Sequence, residues 1–239
     1  MHKVFISPSD QRRNTYASGN TNEAEVCGRI GAACRAALER CGFAVELVQY
    51  EPMSSKCAKS DAFGAELHLP IHTNAFNGKT SGTRIMCYAL SGEGYRACKA
   101  IFDVLAPLTP GTSENITAHP ELYEIKHASA PTAYVEVDFH DVPEVAAWLT
   151  ANTETIGETI AKGVCSYFGE AYVESTASQP ASDGHYHTFE ELPDWAKPTI
   201  RELMDADALR GREGDLDLSD DLLRSLVVNK RYTDFLLDQ

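Results

Sequence analysis

Between residues 4 and 50 the chain spells out a strand, a long helix and a second strand, and that succession restricts the fold more than any other feature. Residues 4–6 are apolar and run into "SPSDQRRN", a stretch of turn formers and charges that ends a strand. After the loop "TYASGNT", Val26, Ile30, Ala33, Ala37 and Leu38 recur three and four apart, the period of an amphipathic helix. Asn22 is placed to cap that helix and Gly42 to stop it. "FAVELVQY" then alternates as a strand. The rhythm continues: "ELHLPIHTN" and "TRIMCYAL" read as strands, 93–105 as a helix, "TAYVEVDF" as a strong strand, and 143–150 and 153–168 as helices. Residues 51–65 read as a looser stretch and "ELYEI" as a short strand. Strands alternating with helices in this way predict an α/β fold, a mostly parallel twisted sheet with helices on both faces.

Past Tyr172 the pattern changes. "VESTASQPASDG" is polar and without period, as a linker is. Beyond it a small C-terminal helical unit is expected, with Trp195, Ile200, Leu203 and Leu209 in its core and Leu222, Leu223 and Leu226 on a second helix. The organisation read from this is a main domain over 1–172, a linker over 173–186 and a small helical domain over 187–239. A unit of that size has little core of its own, so it is expected to lean on the main domain or on a copy of itself. Its many acids read as a solvated face.

Composition excludes several classes. A net charge of −14 argues against nucleic acid as a partner, because phosphate contacts need a basic surface. No apolar run is long enough to span a membrane. The start, "MHKVFISPSD", shows no export signal, so synthesis in the cytoplasm without a signal peptide is expected. The seven cysteines form no CxxC pair, and Cys27, Cys34 and Cys41 recur at sevens along one helix face, which points to reduced thiols rather than a disulfide or zinc framework.

Three groups stand where chemistry is usually kept. His72 ends the strand in "HLPIHTN", Glu23 opens the first long helix, and Glu136 interrupts the apolar strand "YVEVDF". Taken singly, each has a plain explanation: a hydrogen-bonded core histidine, a first-turn acid matched to the helix dipole, a satisfied buried carboxyl. Together they can converge in one crevice, because parallel strands and the helices that follow them bring these ends to one sheet edge. Histidine and glutamate ligation with open water positions describes a hydrolytic zinc centre, and a further glutamate would move the proton of its water.

At these residues the chain resembles the zinc-dependent N-acetylmuramoyl-L-alanine amidases of the third amidase type, the catalytic domains of cell-wall hydrolases and phage endolysins. "NEAEVCGRIGAACRAALERCGFAV", "PIHTNAF", "YVEVDFHD" and "IGETIAKGVCSYFG" follow that family's order over residues 3–170. The resemblance implies Zn2+ as cofactor, Glu23 and His72 as ligands, Glu136 as general acid/base and peptidoglycan as substrate; Asn74 reads as a donor to the substrate, with positioning of its loop as the alternative. It also implies action on the cell wall, reached by phage-type release in the absence of a signal peptide. Where that family has its first zinc histidine, this chain has "ISPSDQRR". Direct register makes Asp10 the ligand; Gln11, His140 and a centre with weak metal binding or none stand as alternatives. The tail resembles a single surface-layer-homology-like repeat, which implies wall-polymer binding, with homodimerisation or simple packing as the alternatives.

Overall fold

The computed structural model describes every residue except 175–183, 190, 194, 212–214 and 238–239. The chain divides into two compact units, Met1–Glu174 and Ser175–Gln239. Most of the stretch read as a linker lies outside the described residues.

The first unit is built on a six-stranded sheet in the order β2-β1-β3-β6-β4-β5. The strands are β1 (Lys3–Pro8), β2 (Ala44–Leu47), β3 (Leu67–Asn74), β4 (Arg84–Cys87), β5 (Asn115–Ala118) and β6 (Tyr134–Phe139). All neighbours are parallel except β4 and β6, which run antiparallel. One sheet face carries Val4, Ile6, Leu67, Leu69, Ile71, Ile85, Val135 and Val137, all fully buried. The helices α1 (Glu23–Arg40), α3 (Gly92–Leu105), α5 (Pro143–Ala151) and α6 (Thr153–Phe168) place their buried apolar side chains in the same core.

Helix α1 forms where its period predicts. Asn22 is extended and its side chain accepts from the Glu25 N–H, satisfying one of the free amides of the first turn. Cys27 and Cys34 are buried on its inner face, and all seven cysteines are free thiols. Two glycines let α6 approach its neighbours closely. A Cβ on Gly157 would stand 2.6 Å from the Ile30 carbonyl oxygen, and one on Gly163 2.5 Å from the Ile101 Cα.

The opposite face is chemically different and carries the two departures from the sequence reading. Residues 51–65 are not loose: they form α2 (Met53–Phe63), whose buried residues are Lys56, Cys57 and Ser60. No apolar period was visible because that helix turns a polar face to the sheet. Lys56 Nζ donates to the Pro8 carbonyl at 3.1 Å, and Ser60 Oγ is 3.0 Å from His68 Nδ1. "ELYEI" is not a strand either; it overlaps the short helix α4 (Tyr123–His127), and the edge strand is the earlier Asn115–Ala118. Glu124 in α4 is drawn inward by His68 Nε2 at 3.2 Å and Ser7 Oγ at 2.5 Å, contacts that no local pattern can announce.

The second unit has its own core of Tyr186, Leu192, Ala196, Ile200, Leu216, Leu218, Leu223 and Val227. A short antiparallel pair, β7 (His185–Tyr186) with β8 (Leu218–Ser219), accompanies α7 (Lys197–Asp205) and α8 (Asp220–Leu237). Of the expected core, Ile200 and Leu223 are fully buried, Trp195, Leu203, Leu209 and Leu226 pack at its margin, and Leu222 is 46% exposed. Among the described residues no helix is long and apolar enough to cross a membrane.

Candidate active site

His72 lies near the end of β3 because "LHLPIHTN" buries alternate residues in the core and turns 68, 70 and 72 to the polar face. Glu136 is its register partner on β6, so both side chains leave the sheet on that face. Glu23, the first residue of α1, reaches the same place from the helix start. The His72 Nδ1–H donates to Glu23 Oε1 at 2.8 Å, and the imidazole stacks on Tyr134 with ring centroids 4.7 Å apart. Three residues expected from the sequence, His72, Glu23 and Glu136, therefore share one corner of the sheet.

Their electrostatics are strongly coupled. Burial pushes the Glu23 carboxyl up, but hydrogen bonds from His72 and Asn14 outweigh it and hold the acid below its ordinary range. Burial pushes the His72 imidazole down, and Glu23 reverses this, so the ring is a stronger base than usual. Glu136 has no such compensation. Burial lifts its carboxyl to about 7, the His72 charge opposing and the Glu23 charge adding to the rise. Its Oε2 is buried without a hydrogen-bond partner, a costly state for a carboxyl unless something else occupies the space before it.

The first loop supplies the third side. Asp10 is exposed. The residue that stands against the histidine is Gln11, with its amide 3.5 Å from His72 Nδ1. Asn14 Nδ2 ties the corner together, donating to Gln11 Oε1 at 2.8 Å and to Glu23 Oε2 at 2.7 Å. Gln49, reaching from beyond β2, donates to the carbonyls of Ser9 and Ala24 and so pins the loop to the first turn of α1. His140 belongs to another cluster: its Nδ1 lies 2.9 Å from Thr73 Oγ1, which meets Tyr16 Oη at 2.9 Å, and its ring stacks on Tyr16. Asn74 Oδ1 accepts from its neighbour Ala75 N–H at 2.8 Å, shaping the loop after β3. That loop is held by Asp141, whose Oδ2 accepts from the amides of Phe76 and Gly78, and it leaves Phe76 exposed.

The donors at this corner can be tested against a zinc ion. His72 Nδ1 and Glu23 Oε1 are a nitrogen and a carboxylate oxygen of the kinds zinc takes, and they face each other. Gln11 crowds the same nitrogen, yet a nitrogen that donates its proton to Glu23 has nothing left for an amide N–H. Two groups compete for one nitrogen that can satisfy only one of them, and a cation at this point would resolve the conflict by taking a lone pair from each head. The pair fits zinc, and the Gln11 amide, turned oxygen inward, offers a weaker neutral third donor. Among the described residues no group of three or more His, Cys, Asp or Glu could hold a metal ion.

Sequence reasoning did not single out Asn14, Tyr134 or Gln49. Tyr134 alone carried a signal, standing two residues before Glu136 on the same strand and hence on the same face.

The family model described as N-acetylmuramoyl-L-alanine amidase matches residues 4–166. No curated protein matches the chain. Among solved structures, the catalytic domain of CwlV, an N-acetylmuramoyl-L-alanine amidase from Bacillus (Paenibacillus) polymyxa var. colistinus, shares 15% identity and a TM-score of 0.65, over 72% of this chain and 100% of that one. The amidase AmiC2 of Nostoc punctiforme shares 19% and 0.64, over 71% and 98%. The catalytic domain of the CD27L endolysin, which targets Clostridia difficile, shares 20% and 0.59, over 70% and 98%. At these identities the likeness is one of fold.

Proposed function

This chain belongs to the N-acetylmuramoyl-L-alanine amidase family, and from that premise we propose that it is a peptidoglycan hydrolase cutting the amide between N-acetylmuramic acid and L-alanine with the help of zinc. Glu136 carries the reading. A carboxyl lifted to about 7, with a buried oxygen lacking any partner, beside a histidine–glutamate pair, is suited to take a proton near neutrality and return it.

Glu23 and His72 would hold the metal, with Gln11 the first-loop oxygen nearest to them and Asp10, one residue back, the other candidate. Zinc in such a place supplies Lewis-acid activation of water and of the amide carbonyl. The chain's own residues do the rest. Asn14 keeps Glu23 and Gln11 aligned, and Tyr134 fixes the imidazole plane. Glu136 accepts the proton of the attacking water and delivers it to the departing L-alanine nitrogen. Asn74 and the loop it shapes border the substrate.

The test is digestion of purified sacculi by the zinc-supplied protein. New L-alanine amino termini are expected; new reducing sugar ends in their place would overturn the amidase reading. The neutral Gln11 at the third position favours one second reading, a wall-binding protein of the same fold that no longer keeps zinc. Metal analysis separates the two, with about one zinc per chain expected for the enzyme and none for the binder. We carry the surface-layer-homology-like tail as a wall-binding unit, with a homodimer through it as the alternative. Loss of sacculus binding on its removal, with the oligomeric state by sedimentation unchanged, distinguishes them. Action on the wall after phage-type release completes the reading.

A further inference from the structure

The polar face of the sheet does not end at Glu136. In the antiparallel pair, Arg84 of β4 is the register partner of Glu136, and Asn115 of β5 is the register partner of Arg84. Directly paired residues leave a sheet on the same side, so His72, Glu136, Arg84 and Asn115 form one row across four adjacent strands. Their neighbours in the strands, Ile71, Val135 and Ile85, are fully buried in the core on the other side. Helices α2 and α4 serve the β1–β3 part of the polar face, through Pro8, Ser7 and His68. Over β6 and β4 the same face is less covered, and Tyr134, Glu136, Arg84 and Met86 are all half-buried.

Two features of this extension ask for a ligand. The Arg84 guanidinium is held in place, its Nη2 donating to Ser113 Oγ at 2.8 Å and its carbon 5.9 Å from the Phe139 ring centre. Yet among the described residues it has no carboxylate partner within ion-pair distance. Beside it, Asn115 Oδ1 is buried and accepts no hydrogen bond. A fixed cation without an anion and a buried acceptor without a donor lie side by side on β4 and β5, with β4 next to the strand of the reacting carboxyl.

We propose that Arg84 and Asn115 form a subsite for the stem peptide, Arg84 taking the free carboxylate of the residue next to the scissile L-alanine and Asn115 Oδ1 accepting a peptide N–H. This rests on the amidase reading for its substrate. The lactyl carboxyl of the sugar is consumed in the amide bond, so the only carboxylates near the cut belong to the peptide. Adjacent strands are about 4.8 Å apart, between one and two residues of extended peptide, which places the second stem residue over Arg84. A planar guanidinium suits a carboxylate because both N–H groups of its fork can be used at once. In a chain of net charge −14, a cation at this spot also offsets the repulsion an acidic peptide would meet.

The experiment uses the full chain and two muramoyl tripeptides that differ only at the second residue, D-glutamate linked through its γ-carboxyl with the α-carboxylate either free or amidated. Hydrolysis of each is measured, as is calorimetric binding of the matching sugar-free peptides. The wild type is expected to favour the free acid about tenfold or more, the scale of one charge-assisted contact. Arg84→Gln should erase that preference by losing the acid and leaving the amide within about twofold, with Arg84→Lys between them. Asn115→Ala should weaken both peptides alike, and no loss there removes Asn115 from the subsite. Equal handling of acid and amide by the wild type, which requires no variant to fold, overturns the proposal. So does an equal loss of both in Arg84→Gln. If neither muramoyl peptide is cut but the binding preference is present and vanishes in Arg84→Gln, the amidase reading fails and the subsite stands.

Discussion

Replacing Glu136 by glutamine should make the protein inactive and, above neutral pH, more stable. The two effects have one origin. A carboxyl at about 7 in the folded chain and at the ordinary 4.5 in the unfolded one favours the folded state only while both are protonated. As pH rises past 4.5 the unfolded chain releases its proton and the folded chain does not, so stability falls until the pH passes about 7 and is then level. A difference of 2.5 units (7 − 4.5) corresponds to about 3 kcal/mol, an upper figure for a buried group. Glutamine keeps the shape and cannot ionise. Urea unfolding with a chelator present should therefore show Glu136→Gln equal to the wild type near pH 4 and more stable by about 2–3 kcal/mol at pH 8–9. Turnover on sacculi should drop by ~10²–10⁴, the usual contribution of a general acid/base. Activity within tenfold of the wild type would refute Glu136 as the proton carrier. Equal stabilities at high pH would refute the uncompensated burial on which that role is based.

Other expectations follow from the same geometry. Gln11→His places an imidazole against His72 and should tighten zinc binding by about tenfold or more; competition with a chromogenic chelator measures it, and a loss of metal in Asp10→Ala but not in Gln11→Ala would return the third position to Asp10. Gly157→Ala gains up to about 1 kcal/mol in helix propensity. It also drives a Cβ to 2.6 Å from the Ile30 carbonyl and the Ala33 Cβ, so a net loss of about 1–3 kcal/mol is expected by thermal unfolding; a rise in Tm would mean that α1 and α6 can part freely. For Glu124, burial raises the carboxyl, but hydrogen bonds from His68 and Ser7 hold it below 4.5. Its contribution is thus complete above 4.5 and lost as pH falls through the lowered value. Glu124→Gln should flatten that acid limb of the stability profile, and an unchanged limb would show that the cluster plays no part in it.

The main elements were legible along the chain because each is a local matter. The three- and four-residue spacing in α1, the Asn22 cap, the alternation in β3 and the β-branched run in β6 report burial on one side of an element, and burial sets those patterns wherever the element is placed. His72, Glu23 and Glu136 could be named in the same way, since the carboxyl ends of parallel strands and the start of a helix meet at one edge of such a sheet. Helix α2 was hidden by its polar buried face, and Glu124 by partners more than fifty residues away in sequence.

What the tertiary structure decided is how separate segments meet. No pattern in "TRIMCYAL" says that β4 enters the sheet antiparallel beside β6, and only that pairing sets Arg84 next to Glu136. Likewise "SPSDQRRN" holds both Asp10 and Gln11, and a turn of the loop, pinned by Gln49 and Asn14, brings the amide rather than the acid to His72. Periodicity encodes which side of an element is buried. It carries no record of which strand lies alongside or of how a loop is rotated, because those depend on the summed contacts of residues distant in sequence.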